Sequence, residues 1–209
     1  MIIAVDGPAA SGKGTLSRRL AAHYGFAHLD TGRTYRAVAR QMRDAGENFG
    51  DAAAAMRAAQ ALDFAMLDDP RLVAPEIGEA ASSIAVMPQL REVLVARQRA
   101  FAREAARGAV LDGRDIGTVV FPDAPVKLFV TASVEERARR RALEVFGVAD
   151  GEAYDELLIS LRERDARDAS REASPLRPAK DAHLIDTTTM SIDDAFRTAT
   201  GLVENAAKP

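Results

Sequence analysis

A glycine-rich run near the start of the chain has residue types and a spacing that suit chemistry on an anion. The run consists of Gly7, Pro8, Ala9, Ala10, Ser11, Gly12, Lys13, Gly14 and Thr15. Glycines let the backbone wrap around an anion, so that its N–H groups point inward. A helix that begins directly after such a loop adds the positive end of its dipole. The run therefore predicts a phosphate-binding loop.

Two side chains of this loop suit a nucleoside triphosphate and its metal ion. Lys13 is placed to reach the β- and γ-phosphates, and the hydroxyl group of Thr15 is placed to hold Mg2+. The usual pattern has Ser or Thr directly after the lysine, whereas Gly14 stands between them here. A glycine-rich turn with a solvated lysine is the alternative, which the neighbouring elements disfavour. We therefore expect ATP and Mg2+ as ligands.

The segments on either side of the loop have the pattern of a strand and a helix. The short apolar run Met1–Val5 is rich in β-branched residues and predicts a buried strand of a parallel sheet. After the loop, Leu16, Leu20 and Tyr24 recur at every fourth position, which predicts a helix that ends at Gly25. Strand, loop and helix thus follow in the order that a phosphate-binding loop requires.

The rest of the chain alternates between strand and helix patterns, which indicates an α/β fold with a parallel sheet. The further predicted strands are 27–30, 109–112, 126–130 and 183–186. The further predicted helices are 34–44, 76–86, 89–107, 134–146, 152–169 and a last helix capped by Ser191. Asp112 ends a strand, where a carboxylate commonly holds Mg2+ through water; its alternative is a helix N-cap or a turn.

Residues 46–75 predict a small insertion of one helix and a hairpin. Asp51 can cap an alanine-rich helix. After it, Leu62, Phe64 and Met66 alternate as in a strand, and a turn separates them from the apolar pair 72–73.

Composition excludes several classes of function. The chain of 209 residues has no cysteine, which removes disulfides, thiolate nucleophiles and cysteine-ligated metals, and its three histidines are not spaced to share a metal. A net charge of −3, 5% aromatic residues and no tryptophan argue against nucleic acid as a partner. No apolar run reaches the roughly 20 residues of a membrane span, and no heptad seam suggests an obligate partner. We expect a monomer in the cytoplasm, without nucleic-acid or membrane partners.

Four stretches of the sequence carry a resemblance to one family. Gly12 to Thr15 resembles the phosphate loop of nucleoside monophosphate kinases. The segments 29–36 (LDTGRTYR), 112–122 (DGRDIGTVVFP) and 162–171 (RERDARDASR) are similar, in the same order, to signatures of bacterial cytidylate kinases. The resemblance runs nearly end to end.

This resemblance implies a P-loop kinase fold, in which a parallel five-stranded sheet is flanked by helices within a single domain, residues 1–209. It also implies a small acceptor-binding insertion, shortened here to 46–85, and an arginine-rich lid over 147–178. We expect the shortened insertion to affect acceptor affinity and closure. The implied reaction moves the γ-phosphoryl group of Mg-ATP to CMP or dCMP, a step of pyrimidine metabolism.

The resemblance also assigns roles to individual residues. The electrostatic catalytic groups would be Lys13, Arg114, Arg164 and Arg171. The acceptor's phosphate would be held by Arg36, Arg114 and Arg171, with Thr31 nearby. Its ribose would be held by Arg164 and Asp168, with Tyr35 beside them, and its base by Ser82, Arg91 and Asp115.

Plainer interpretations stand beside these roles. Ser82 could be a small packed residue, and Arg91 a surface charge. Most of the arginines of 137–141 are expected on a solvated helix face, and those of 164–171 could form surface pairs at i, i+4 spacing.

Two other functions stay open. One is a P-loop kinase for UMP, AMP or a non-nucleotide hydroxyl acceptor. The other is a nucleotide-binding regulatory or RNA-interacting switch. Against a switch stands the second phosphate-binding set, Arg36, Arg114 and Arg171, which a protein with one nucleotide does not need.

Overall fold

A parallel sheet with helices packed against it forms the framework of the chain. The computed structural model describes residues 1–206, and within this range it has five strands and eight α-helices. The strands are β1 (Ile2–Asp6), β2 (Ala27–Asp30), β3 (Ala109–Gly113), β4 (Val126–Thr131) and β5 (His183–Asp186). The helices are α1 (Lys13–Tyr24), α2 (Thr31–Asp44), α3 (Ala52–Ala61), α4 (Pro75–Ile84), α5 (Pro88–Glu104), α6 (Val134–Phe146), α7 (Gly151–Ser170) and α8 (Ile192–Ala206).

Strand β1 lies at the centre of the sheet. The strand order is β2-β3-β1-β4-β5, and β1 pairs in parallel with both β3 and β4, while β4 pairs in parallel with β5. Ile3 and Val5 of β1 are fully buried, and they belong to a core to which Leu20 of α1 and Ala199 of α8 also belong. Because parallel strands end at the same edge, the loops after β1 and β3 emerge side by side, where α/β proteins bind ligands. The predicted α/β class is confirmed.

The chain divides into two structural units. One comprises residues 1–28 and the chain from Ala105 onward, and the other comprises Leu29–Glu104. The second unit is helical: α2 packs against α3 and α4, and α3 packs against α5. The carboxylate of Asp30 caps α2 by accepting a hydrogen bond from the backbone N–H of Arg33 at 3.2 Å.

The predicted hairpin in the helical unit is wrong. Phe64–Asp68 and Pro70–Val73 are short 3-10 turns. Each is started by an aspartate, Asp63 or Asp69, whose side chain accepts a hydrogen bond from the backbone N–H two residues later. The buried residues here are Leu62, Leu67 and Leu72, five apart, whereas Met66 is 43% exposed. The strand-like alternation of 62, 64 and 66 therefore does not follow the buried face.

The other predicted elements are confirmed, with small shifts at their ends. Helix α2 begins at Thr31 rather than Thr34, and Pro88 is the first residue of α5. Ser191 caps α8, since its hydroxyl oxygen accepts a hydrogen bond from the N–H of Asp194 at 3.1 Å. In the range 1–206 no helix is both long enough and apolar enough to span a bilayer.

Candidate active site

The loop between β1 and α1 is shaped by its backbone. Gly7 has φ +154°, and a Cβ atom on it would lie 2.0 Å from the carbonyl oxygen of Val130 in the neighbouring strand, so no other residue fits. Ala10 and Gly12 have φ of 58° and 85°, both left-handed. Left-handed residues in a loop turn successive N–H groups toward one side and form a concave anion site. Helix α1 then begins at Lys13 without a side-chain cap.

The side chains of the loop add polar groups to this backbone cradle. The ammonium group of Lys13 donates a hydrogen bond to the carbonyl oxygen of Pro8 at 3.1 Å, and the residue is only 9% exposed. Ser11 is fully buried, and its hydroxyl group has no hydrogen-bond partner among residues 1–206. The hydroxyl oxygen of Thr15 accepts a hydrogen bond from Arg18 at 3.4 Å. The loop therefore offers an ammonium group, a hydroxyl donor and its own N–H groups to a bound phosphate.

Asp112 lies next to this loop and is a suitable magnesium ligand. It stands inside β3, paired with Val5, and not at a helix N-cap. Its Oδ2 atom is 2.8 Å from Nε2 of His28. Its Oδ1 atom faces the loop, since a Cβ atom placed on Gly14 would lie 3.8 Å from it.

The oxygen ligands around the loop fit Mg2+ better than they fit a metal ion whose ligands all come from the protein. Among residues 1–206 no group of three or more histidines and carboxylates could hold a metal ion. Mg2+ usually takes one or two protein oxygens and completes its shell with phosphate oxygens and water. The carboxylate of Asp112 and the hydroxyl group of Thr15 meet that requirement.

A buried cluster of arginines surrounds Asp168 of α7. The side chain of Asp168 is 1% exposed; it accepts a hydrogen bond from Nε of Arg114 at 2.8 Å and one from Nη2 of Arg171. Burial alone would raise the pKa of Asp168, but the positive charges of Arg114, Arg171 and Arg164 outweigh it and lower the pKa below its usual value. Asp168 is thus buried, and not part of a solvated helix face.

This cluster is suited to an anion. One carboxylate faces three guanidinium groups, which leaves an excess of positive charge. The Nε atom of Arg171 is buried and has no hydrogen-bond partner in the described part of the chain. Guanidinium groups bind phosphate oxygens in pairs. The buried donor and the excess charge make this cluster a candidate second anion site, in the same structural unit as the phosphate loop.

Asp115 lies in a segment that is anchored to the end of β1. It is 7% exposed, and its backbone carbonyl accepts hydrogen bonds from Val119 and Val120 around a π-helical turn, Ile116–Val120. The buried carboxylate of Asp6 accepts hydrogen bonds from the backbone N–H groups of Ile116 and Gly117 at 2.7 and 2.8 Å. Burial raises the pKa of Asp6 to about 6, against the lowering effect of these two N–H groups. No local pattern in the sequence indicates this anchor, because Asp6 and Ile116 are 110 residues apart.

Two of the predicted acceptor arginines lie in the helical unit. Arg36 donates a hydrogen bond to the carbonyl oxygen of Leu72 at 2.8 Å, beside the space that Gly78 leaves open. The guanidinium of Arg91 lies over the ring of Tyr35, 5.7 Å from its centroid, and donates a hydrogen bond to the Ala85 carbonyl at 3.1 Å. Arg91 is 6% exposed, so its interpretation as a surface charge is wrong.

Two further predicted acceptor residues of this unit are buried. Thr31 is the first residue of α2 and is 4% exposed, and Ser82 lies on α4 and is 5% exposed. The burial of Ser82 fits a packed residue as well as a ligand contact.

Arg137 is the exception to the solvated face expected for most of the arginines of 137–141. It is 4% exposed, whereas Arg139 and Arg141 of the same helix form exposed or half-exposed pairs with nearby glutamates. The signal that could have found it is the stripe of small residues, Ala138 and Ala142, which marks the buried face of α6.

A glycine-rich loop that joins the central strand of a parallel sheet to a helix, with a lysine at its end, is typical of P-loop nucleotide-binding proteins, a class that includes the P-loop kinases. A family model described as cytidylate kinase matches residues 3–205. The chain belongs to the cytidylate kinase family.

Individual relatives and one solved structure agree with this assignment. The cytidylate kinases of Brucella suis biovar 1 and Brucella ovis are each 58% identical to this chain over 205 residues, which is 98% of this chain and 93% of theirs. A solved structure of an uncharacterized protein from Eubacterium ventriosum is similar with a TM-score of 0.54 and 16% identity, over 98% of both chains. That structural likeness concerns the fold alone.

Proposed function

We propose that this protein transfers the γ-phosphoryl group of Mg-ATP to the 5′-phosphate of CMP or dCMP and releases ADP and CDP or dCDP. The observation that carries the proposal is the buried cluster of Asp168, Arg114 and Arg171, a second anion site in addition to the phosphate loop. A protein that binds a single nucleotide needs only the loop, whereas a kinase with a phosphorylated acceptor needs both. The relatives that cover nearly the whole chain are named cytidylate kinases.

On the donor side, the loop residues Gly7 to Thr15 hold the phosphates of ATP. The backbone N–H groups and the ammonium group of Lys13 neutralise the charge on the transferred group, which is the main task in phosphoryl transfer. Thr15, directly, and Asp112, through water, would hold Mg2+. An ion held there would screen the phosphate charge and help to orient the transferred group.

On the acceptor side, each residue keeps the role that the resemblance assigns. Arg36, Arg114 and Arg171, with Thr31, take the phosphate of CMP. Arg164, Asp168 and Tyr35 take its ribose, and Ser82, Arg91 and Asp115 take its base. No general base is required, because the second pKa of a phosphate monoester is about 6 and the attacking oxygen is already ionised at neutral pH.

The remaining expectations belong to the same proposal. Residues 147–178 act as a lid that excludes water, because an open site would lose ATP to hydrolysis. Residues 46–85 act as the acceptor-binding insertion, within one kinase domain. The protein works as a monomer in the cytoplasm, without nucleic acid or membrane.

The experiment that tests the proposal measures ADP release from Mg-ATP with CMP, dCMP, UMP, AMP or no acceptor. We expect turnover with CMP and dCMP, weak turnover with UMP and almost none with AMP or without acceptor. Faster turnover with UMP or AMP would overturn CMP and dCMP as the preferred acceptors, but it would still support a kinase. ATP binding without acceptor-dependent turnover would favour a nucleotide switch.

Asp115→Ala tests how the base is recognised. A base site rejects a wrong ligand because its buried polar groups are left unpaired, so the loss of one such group reduces discrimination. We expect the preference for CMP over UMP, as the ratio of kcat/KM values, to fall by about tenfold or more. An unchanged ratio would remove Asp115 from the base site.

A further inference from the structure

Arg137 of α6 is a buried arginine with four hydrogen bonds in three directions. Its Nε atom donates to the carbonyl oxygen of Ala132 at 3.0 Å, and Nη1 donates to the carbonyl oxygen of Ala9 at 3.1 Å. Nη1 and Nη2 also contact both carboxylate oxygens of Asp165 on α7, at 3.2 and 2.5 Å. A planar guanidinium can make such bonds at the same time, which an ammonium group cannot. Arg137 thus connects the phosphate loop to α7.

The bond to Ala9 acts on the phosphate loop directly. In a trans peptide the carbonyl and the following N–H group point in opposite directions, so holding the Ala9 carbonyl also fixes the direction of the Ala10 N–H group. Ala10 has φ 58°, a left-handed conformation that costs about 1 kcal/mol or more for a residue with a Cβ atom. Such a conformation persists where its surroundings hold it in place. The guanidinium of Arg137 is one of the groups that hold it.

The bond to Asp165 acts on α7. Asp165 lies one helical turn before Asp168, the centre of the second anion site, so both project from one side of the helix. A small apolar cluster of Ala9, Ala138 and Leu161 joins the loop, α6 and α7 beside this ion pair. The side chain of Asp165 is 28% exposed and that of Arg137 is 5% exposed, so solvent reaches the pair mainly at the carboxylate.

We propose that Arg137 is a positioning residue that couples the phosphate loop to the Asp168 cluster, so that a nucleotide in either site raises the affinity of the other. The proposal rests on the proposed function, because it takes the second anion site to be the acceptor's. A ligand that orders the loop fixes the Ala9 carbonyl, Arg137 and Asp165, and this lowers the conformational entropy that the second ligand must lose. Because coupling is reciprocal, the acceptor strengthens the donor by the same factor.

Calorimetric titration tests this coupling without turnover. The probe is the non-hydrolysable ATP analogue AMPPNP with Mg2+, titrated into the protein in the absence and in the presence of saturating CMP. For the unmodified protein we expect CMP to tighten AMPPNP binding about fivefold or more. For Asp165→Asn and Arg137→Gln we expect this ratio to fall close to one. Arg139→Gln on the same helix, at an exposed pair with Glu136, is the matched control and should keep the ratio of the unmodified protein.

A purely structural role of Arg137 gives a different result. It would lower the Tm of both variants and leave the ratio of the two dissociation constants unchanged, which would overturn the proposal. Asp165→Asn keeps the volume of the side chain and leaves Arg137 bound to Ala132 and Ala9, so it tests the bridge even if Arg137→Gln does not fold. Arg137→Lys keeps the positive charge but only some of the hydrogen bonds. It should therefore show part of the coupling that Arg137→Gln loses.

The outcomes also separate this proposal from the proposed function. If the unmodified protein binds AMPPNP and CMP with no effect on each other, the coupling is absent and only the proposal about Arg137 fails. If it does not bind CMP at all, the proposed function fails and the coupling with it.

Discussion

The phosphate loop and the helical unit from Leu29 to Glu104 hold their candidate ligand groups in different ways. In the loop, the backbone itself is the ligand, and Gly7 is fixed because a Cβ atom would lie 2.0 Å from another backbone atom, the carbonyl oxygen of Val130. In the helical unit, the ligand groups are side chains, and a Cβ on Gly78 would lie 3.3 Å from the guanidinium of Arg36, which can move. The candidate donor site is therefore preformed and intolerant of change, whereas the candidate acceptor residue Arg36 is adjustable.

Gly7→Ala tests the rigid side of this comparison and should have the largest effect. A contact of 2.0 Å with a backbone oxygen is not relieved by turning a side chain, so β1, the loop or β4 must shift. We expect loss of Mg-ATP binding, and a cooperative thermal transition that is strongly lowered or absent. Calorimetric titration and thermal unfolding monitored by circular dichroism measure the two effects. Normal ATP affinity in this variant would show that the loop is not held as described.

Lys13→Ala removes the charged side chain of the loop and leaves its backbone in place. The loss of one preorganised group that stabilises the transferred charge costs about 10²–10³-fold in turnover. We expect kcat to fall by this factor. The far-ultraviolet circular dichroism spectrum of the variant should match that of the unmodified protein, because the fold is intact. The control is Lys180→Ala, at an exposed position, with unchanged kcat. A near-normal rate for the Lys13 variant would disprove the phosphate-loop assignment.

Asp6→Asn tests the buried carboxylate that anchors 116–117 to β1. The pKa of Asp6 is about 6 in the folded protein, above its ordinary value of 3.8, so the folded state binds the proton more tightly. This contribution to stability is fully present below about pH 4 and is lost as the pH rises through 6, by about 3 kcal/mol in total.

Urea unfolding between pH 4 and 7 measures this contribution as a difference between proteins. The free energy of unfolding of the unmodified protein, relative to that of Asp6→Asn, should fall as the pH rises through this range. Asp123→Asn, at an exposed position, should follow the unmodified protein at every pH. A difference that stays constant, or that grows with pH, would contradict the assigned environment of Asp6.

Gly78→Ala tests the adjustable side and should have the smallest effect. The new methyl group displaces the guanidinium of Arg36 by a few tenths of an ångström, so we expect the KM for CMP to rise by no more than about tenfold, with kcat nearly unchanged. Gly201→Ala is the matched control in another helix, because a Cβ there meets no described atom within 4 Å apart from its own helical backbone and its chain neighbours. That control should leave the KM unchanged and stabilise the protein by about 0.5–1 kcal/mol. An effect of Gly78→Ala as large as that of Gly7→Ala would contradict the comparison.

The same contrast explains which features the sequence could predict. The phosphate loop depends on local backbone requirements, which are visible as Gly7, Gly12 and Lys13 between a β-branched run and a helical stripe. The strands of the sheet were predictable for the same reason, since each is a short apolar run bounded by turn residues. Local patterns therefore predicted the fold, and they assigned the candidate donor site to the phosphate loop.

Long-range side-chain contacts were not predictable. Arg137 reaches Ala9, 128 residues away, and no pattern within α6 separates it from its exposed neighbour Arg139 except the adjacent small residues. The hairpin prediction failed because an alternation over only five residues is a weak strand signal. The same segment has aspartates that cap 3-10 turns and leucines five residues apart that are buried in these turns. The roles of Ser82 and Arg91 came from the resemblance alone, because burial and packing depend on helices that come together only in the fold.

The most direct test of the central claim, a donor site and a separate phosphorylated acceptor, is to follow the label from [γ-32P]ATP in the presence of Mg2+ and CMP. If the account is correct, the label moves into the β-phosphate of CDP, at a rate that depends on CMP, and little inorganic phosphate forms. Label that appears as inorganic phosphate at a rate independent of CMP would contradict it, because the second anion site would then not hold an acceptor.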